Sequence, residues 1–318
     1  MGEQTGAGAF LKPAYEKLKA SELQAAYNYL EQALSVDFRN EEVKYALKCV
    51  HWWIEHLGKL DDIEDPYDKG CYIISLLRHY SIFLEQFENL FEQCQYAVRF
   101  FVYTRALYFF EGLLHAKPEN RNDGELLFLA GKCHKALGNY ETAFKYAKQA
   151  MECKKEDSRI LAAAADLYEL LSETKYAKVL FREAFFLDPA KIELNALESG
   201  MIKELWDDVY AMGYSTDLIC EWIPVYGNVR KVFNVKRELK PMEAGRLKQS
   251  IFSLETEYEL NPEKKESLKP RLLNHYFWLI DHYENTNEEP SLTDEILLKI
   301  KIIDPDIYQM YSGDATLK

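Results

Sequence analysis

Small residues recur at a fixed interval in the middle of this chain. Glycine or alanine stands at three positions of one segment and returns 34 residues later at each of them: Gly131 with Ala165, Ala143 with Ala177, and Ala150 with Ala184. Two helices pack closely only where small side chains let their backbones approach. The interval therefore predicts two consecutive units, each an antiparallel pair of helices.

Other residues of the two units fall at positions that fit the same plan. The first unit has a Leu137-Gly138-Asn139-Tyr140 break between its helices, and the second ends at Asp188-Pro189. A proline disfavours helical geometry in the residue before it, so Pro189 predicts the end of a helix. Further matches are Tyr168 and Phe181 in the second unit. On these residues, segment 124–191 resembles two tandem tetratricopeptide repeats.

The resemblance implies an all-α fold, an α-solenoid of stacked antiparallel helical hairpins. Two such repeats are too few to be stable alone, because about three are normally needed. The flanks are therefore expected to be degenerate relatives: residues 1–123 with a long buried hairpin, and residues 192–318 with an irregular connection near 215–245. The expected total is 12 or 13 helices with no strands.

In tetratricopeptide proteins, the first helix of each repeat lines a concave groove. Carried onto this sequence, the resemblance implies a partner-binding groove formed by Glu125, Phe128, Lys132, Lys135, Arg159, Ala162, Asp166 and Glu169. The mixture suits an extended peptide that carries both charges and an apolar anchor near Phe128. The alternative is that these residues are ordinary charges on a helix pair.

A second candidate surface is basic. Arg230, Lys231, Lys236, Arg237 and Lys240 lie close together in a chain whose net charge is −13, with Trp222 and Tyr226 just before them. This local reversal predicts a docking patch for an acidic partner, nucleic acid or lipid headgroups. The same cations would equally neutralise acidic faces of their own neighbours.

Composition excludes several classes of function. A net charge of −13 disfavours non-specific nucleic-acid binding, which depends on neutralising phosphates. The longest apolar runs, 71–84 and 96–110, are shorter than the ~20 residues of a membrane span and contain arginine. The six cysteines form no C-x-x-C pair, which predicts reduced thiols and no zinc site. With no signal peptide, a cytoplasmic location is expected.

The sequence contains no P-loop, dinucleotide-binding, zinc-protease or nucleophile-elbow motif. We therefore expect a non-enzymatic scaffold that binds a peptide or helical protein partner without a cofactor, as one subunit of a larger assembly. Two alternatives remain open. One is an enzyme or signalling protein with a catalytic site in 192–318, and the other is an RNA- or lipid-binding protein that uses 230–248. The segment from Trp222 to Leu239, taken with the repeats, also resembles uncharacterised bacterial tetratricopeptide proteins, some tied to motility machinery.

Overall fold

The computed structural model describes residues 6–313, and these residues form fifteen α-helices and no β-strand. The predicted all-α class is confirmed, and neighbouring helices pack in pairs. The chain falls into two compact units, an N-terminal unit, Met1–Cys153, and a C-terminal unit, Lys154–Lys318. The boundary lies between the two segments that the 34-residue interval relates.

The N-terminal unit holds seven helices, of which α1 and α2, α4 and α5, and α6 and α7 form pairs. Their bounds are α1 Gly8–Lys19, α2 Leu23–Val36, α3 Glu41–Leu57, α4 Pro66–Leu84, α5 Glu92–Ala116, α6 Gly124–Ala136 and α7 Tyr140–Cys153. Side-chain caps mark several helix starts, since Asn40, Asp65 and Asp123 each accept a hydrogen bond from a backbone N–H of the first turn.

The close approach predicted for the first pair is present between α6 and α7. A Cβ atom on Gly131 would lie 3.2 Å from Cβ of Tyr146 and 3.4 Å from the carbonyl oxygen of Ala143, so a larger residue would push the helices apart. Ala143 and Ala150 are fully buried on α7. Gly138 connects the helices at φ +79°, a left-handed conformation that glycine adopts without strain.

Large aromatic side chains fill the core of this unit farther towards the N-terminus. The ring of Trp53 on α3 lies 5.3 Å from that of Tyr80 on α4 and 5.7 Å from that of Phe101 on α5. The apolar runs that are too short to cross a membrane therefore form α4 and α5, two helices packed against each other.

The C-terminal unit holds eight helices, and α8 with α9, α10 with α11, α12 with α13, and α14 with α15 form pairs. Their bounds are α8 Ser158–Leu170, α9 Thr174–Leu187, α10 Gly200–Ala211, α11 Thr216–Val229, α12 Pro241–Leu260, α13 Lys265–Thr286, α14 Pro290–Ile303 and α15 Pro305–Ser312. Helix α13 is central, because it packs against α11, α12 and α14 and is buried without interruption from Leu272 to Tyr283.

The irregular connection predicted near 215–245 is shorter in the structure. Helix α11 occupies residues 216–229 with Pro224 inside it, and only residues 230–240 connect α11 to α12 without helical structure. Pro224 is buried, and packing of its ring helps offset the backbone hydrogen bond that it cannot donate. We call residues 230–240 the strap.

Candidate functional site

The four groove residues of the N-terminal unit lie along α6. Phe128 and Lys135 are each only 8% exposed, while Glu125 and Lys132 are half-buried. The structure thus places the expected apolar anchor, Phe128, in the interior. Helix α6 contributes mainly to the core, in keeping with its buried run from Leu126 to Phe128.

Two groove residues of the C-terminal unit hold the start of α10. One carboxylate oxygen of Asp166 accepts hydrogen bonds from the backbone N–H groups of Glu198, at 2.9 Å, and Ser199, at 2.7 Å. Glu169 accepts from the Ser199 hydroxyl and, at 3.2 Å, from the backbone N–H of Met201. Carboxylates that receive several N–H groups at a helix start stabilise that helix. Asp166 and Glu169 therefore have a structural role.

The other two groove residues of this unit lie near the start of α8. Arg159 donates to both carboxylate oxygens of Asp157, at 3.1 and 2.7 Å, and Asp157 also caps α8 by accepting from the backbone N–H of Arg159. Ala162 is buried. The charge of Arg159 is thus partly balanced within its own helix start.

The aromatic residues of the expected docking patch are interior side chains. Trp222 is 1% exposed and Tyr226 is 2% exposed. The ring of Trp222 stacks on Tyr214 at 4.3 Å, and the hydroxyls of Tyr214 and Tyr226 lie 3.1 Å apart. These residues are therefore not a surface for docking. Trp222 and Tyr226 lie on the face of α11 that is turned towards the core. The run "WIPVY" is apolar throughout except for the tyrosine hydroxyl, so it does not show by itself which face of the helix is buried.

Three cations of the patch are neutralised by carboxylates from other helices. Arg230 pairs with Asp208 at 2.8 Å, and Lys236 pairs with Asp281 at 2.7 Å and with Glu284. Arg237 bridges α9 and α12, because it pairs with Glu183 and Glu243 at 3.1 Å each. Lys231 and Lys240 are exposed and have no ion pair with another residue of the range 6–313. For Arg230, Lys236 and Arg237, these contacts match the alternative in which the cations neutralise acidic faces of their own neighbours.

Beneath the strap lies a buried ion pair that the sequence did not point to. Arg182 on α9 pairs with Asp281 on α13, and the Arg182 guanidinium lies 4.6 Å from the Trp278 ring centroid. The pair is buried, with Arg182 only 2% exposed. The sequence contains one signal for this pair. Asp281 follows the apolar run 276–280 in "YFWLID", and a carboxylate buried in such a helix requires a partner.

In 192–318, where a catalytic site was an alternative, two titratable groups with shifted pKa values, His275 and Glu221, each form a hydrogen bond with Arg271. Burial lowers the pKa of His275 to about 4, and its Nδ1 donates to the backbone carbonyl of Arg271 at 2.8 Å. Burial raises the pKa of Glu221, although Arg271, at 2.7 Å, opposes that effect. Within the described range, no three His, Cys, Asp or Glu residues are grouped to hold a metal ion.

An open cleft of about 480 Å³ lies in the C-terminal unit, between α10, the end of α11, the start of the strap and α15. It is lined by Met201, Glu204, Leu205, Asp208, Val229, Arg230, Val232 and Met310. The volume lies within the range of clefts that take a small ligand or a few side chains. Two methionines in its wall adapt readily to the shape of an apolar guest.

The helices of the described range include none that is long and apolar enough to cross a membrane. No protein family matches this sequence, and no curated protein matches it. Evidence for a function therefore comes from the residues and contacts of the chain itself.

Proposed function

We propose that this protein is a non-enzymatic scaffold of tetratricopeptide type that binds a peptide or helical segment of another protein. The repeat interval supports this proposal, because its six small residues are all buried in the structure. Helical hairpins stacked in this way commonly serve as platforms for other proteins.

The observation that carries the proposal is the Met-lined cleft of the C-terminal unit. Five of its eight lining residues are apolar, and Glu204, which also lines it, is exposed and has no ion pair with another residue of the described range. Asp208, in contrast, is balanced by Arg230. The cleft suits a large aliphatic side chain with a lysine or arginine nearby, the pattern of a basic amphipathic helix.

Photo-cross-linking in the native cell tests the proposal. A benzophenone side chain replaces Met310, which lines the cleft, and in a matched control it replaces Lys175, an exposed residue of α9. The scaffold proposal predicts one or a few discrete protein adducts from position 310 that position 175 does not give. Mass spectrometry of the adducts identifies the partner and the cross-linked segment.

One further variant sharpens the test. Glu204→Lys is expected to weaken the adduct from position 310, because it places a cation beside the basic segment. If position 310 gives no protein adduct, or only those of position 175, the proposed binding by this cleft is refuted.

A further inference from the structure

The α4–α5 hairpin of the N-terminal unit carries cations along the middle of its two helices, while its carboxylates lie towards the helix ends and in the turn between them, namely Asp68, Glu85, Glu88, Glu92 and Glu111. Residues 69–84 and 93–110 contain four lysines or arginines, namely Lys69, Arg78, Arg99 and Arg105, and no aspartate or glutamate. None of the four forms an ion pair with another residue of the range 6–313. The strap differs, because carboxylates of neighbouring helices balance three of its cations.

A row of side chains on α5 runs through this region. Tyr96, Phe100, Thr104 and Tyr108 follow one another at intervals of four residues, and residues so spaced form a continuous ridge on a helix surface. Tyr96 is 57% exposed and Tyr108 is 67% exposed, while Phe100 and Thr104 are half-buried. We call these four residues the α5 ridge. From Tyr96 to Tyr108 it extends about 18 Å along the helix axis.

Two arginines flank the α5 ridge. Arg99 is exposed beside Tyr96 and Phe100. The Arg105 guanidinium lies 5.7 Å from the centroid of Tyr108 and 5.4 Å from that of Phe109. These rings hold the guanidinium in place while leaving its N–H groups without a carboxylate partner. Exposed tyrosine beside arginine is the composition typical of the energetically important part of protein interfaces.

The end of the ridge at Tyr96 borders a second open cavity, of about 680 Å³, between α1 and α5. Tyr96 lines it together with Lys12, Lys19, Glu16 and Glu42, among others. Lys19 pairs with Glu16 at 2.7 Å, and Glu42 accepts from the Tyr15 hydroxyl at 2.9 Å. Lys12 has no ion pair with another described residue. Glu92, the first residue of α5, also lines this cavity.

The hydroxyl of Thr104 lies below the surface of the ridge. It is buried among its neighbours and has no hydrogen-bond partner among the described residues. A buried polar atom without a partner is uncommon in folded proteins. Because this oxygen is buried, a ligand that lies along the ridge packs on Phe100 and Tyr108 and does not depend on Thr104 for a hydrogen bond.

We propose that the α5 ridge binds an acidic, apolar-containing segment of a partner protein, an inference that rests on the proposed scaffold function. The carboxylates of the bound segment pair with Arg99 and Arg105, and the apolar side chains of that segment pack on Tyr96 and Tyr108. A segment of five or six extended residues covers the length of the ridge. A long nucleic acid is disfavoured, because beyond the ridge it would meet a chain of net charge −13.

Fluorescence anisotropy with the full chain tests this proposal. The probe is a labelled 14-residue peptide of aspartate, glutamate, leucine and phenylalanine, and its comparison is the same peptide with lysine in place of the acids. Oligo-uridine and vesicles of phosphatidylcholine with phosphatidylglycerol test the two other anionic partners. The acidic peptide is expected to bind most tightly, with an affinity that falls as salt rises.

Charge reversal at the two arginines, Arg99→Glu with Arg105→Glu, is expected to weaken the acidic peptide at least about tenfold. The matched control reverses two exposed lysines of the other unit, Lys175→Glu with Lys203→Glu, and is expected to change the affinity less than about twofold. Arg99→Gln with Arg105→Gln removes the charges without adding carboxylates, and should give an intermediate loss. Tyr108→Ser should weaken the peptide about tenfold, with little change in salt dependence.

Three results would overturn the proposal: no binding of the acidic peptide, tighter binding of oligo-uridine or vesicles, or equal losses in the arginine and lysine variants. The scaffold function has its own readout, the adduct from position 310. A chain that gives that adduct but does not bind the acidic peptide refutes the ridge proposal alone.

Discussion

Replacing Asp281 with leucine should destabilise the C-terminal unit strongly. In the structure Asp281 pairs with both Arg182 and Lys236, and Arg182 is 2% exposed. The substitution leaves the Arg182 charge buried without its carboxylate, and removing one partner of a buried ion pair costs about 3–5 kcal/mol. Arg182→Met should cost less, about 1–3 kcal/mol, because Asp281 keeps its contact with Lys236.

The double variant Arg182→Met with Asp281→Leu distinguishes this reasoning from simple loss of contacts. When both charges are replaced by apolar side chains, neither remains buried without a partner, so the double variant should be more stable than Asp281→Leu alone. The coupling between the two substitutions is expected to be about 2 kcal/mol or more. The matched control is Lys191→Met, in an exposed pair with Asp188, expected to cost less than about 1 kcal/mol.

The assay is urea unfolding followed by circular dichroism, with hydrogen exchange of residues 272–283 as the local readout for α13. Exchange of this segment should accelerate in Asp281→Leu and slow again in the double variant. A cost below about 1 kcal/mol for Asp281→Leu, or costs that simply add in the double variant, would refute the role assigned to the buried pair.

Three further predictions concern the C-terminal unit. Gly227→Ala should cost about 1–3 kcal/mol in urea unfolding, because its Cβ would lie 2.4 Å from the Phe233 ring, whereas Gly245→Ala meets no atom within 4 Å and should not destabilise α12. An unchanged stability for Gly227→Ala would show that the strap shifts easily. The pKa of His275, about 4 in the fold against an ordinary value near 6.5, means that the unfolded chain binds a proton first as pH falls. Stability should therefore fall by about 3 kcal/mol between pH 6.5 and 4, and His275→Phe should lose this component; an unchanged slope in the variant would contradict the assignment. Asp166→Ala should cost about 3 kcal/mol and speed amide exchange at the start of α10, because two backbone N–H groups lose their acceptor. Unaltered exchange there would contradict the capping role.

The helical pairs of the fold were predictable from the sequence because their signal is local. The interval that relates Gly131 to Ala165 reports a contact between helices adjacent in the chain, and Gly138 reports the turn between them. Such contacts are set by residues within one hairpin, so the spacing of small side chains is enough to predict them.

The surfaces were less predictable because they depend on distant partners. Lys236 meets Asp281 across 45 positions of the chain, and Arg237 meets Glu183 across 54, so the charge run of the strap could be read equally as a docking patch. The position of Trp222 has a similar cause. An aromatic residue on a mostly apolar helix is buried on whichever side the neighbouring helices cover, and the residues of α11 do not identify those neighbours.

The α5 ridge does have a signal in the sequence, although a weaker one than the strap has. The strap is visible as a cluster of lysine and arginine, whereas the signal in α4 and α5 is two stretches, 69–84 and 93–110, that contain cations and no carboxylate. Only the structure shows that Arg99 and Arg105 have no ion pair with another residue of the described range and that they flank a ridge with two exposed tyrosines.

The most direct test of the scaffold account is photo-cross-linking in the native cell from position 310, at the Met-lined cleft. The account predicts a discrete protein adduct that is weakened by Glu204→Lys and absent when the benzophenone stands at position 175. A cell in which position 310 gives no protein adduct, or gives the same adducts as position 175, would contradict it.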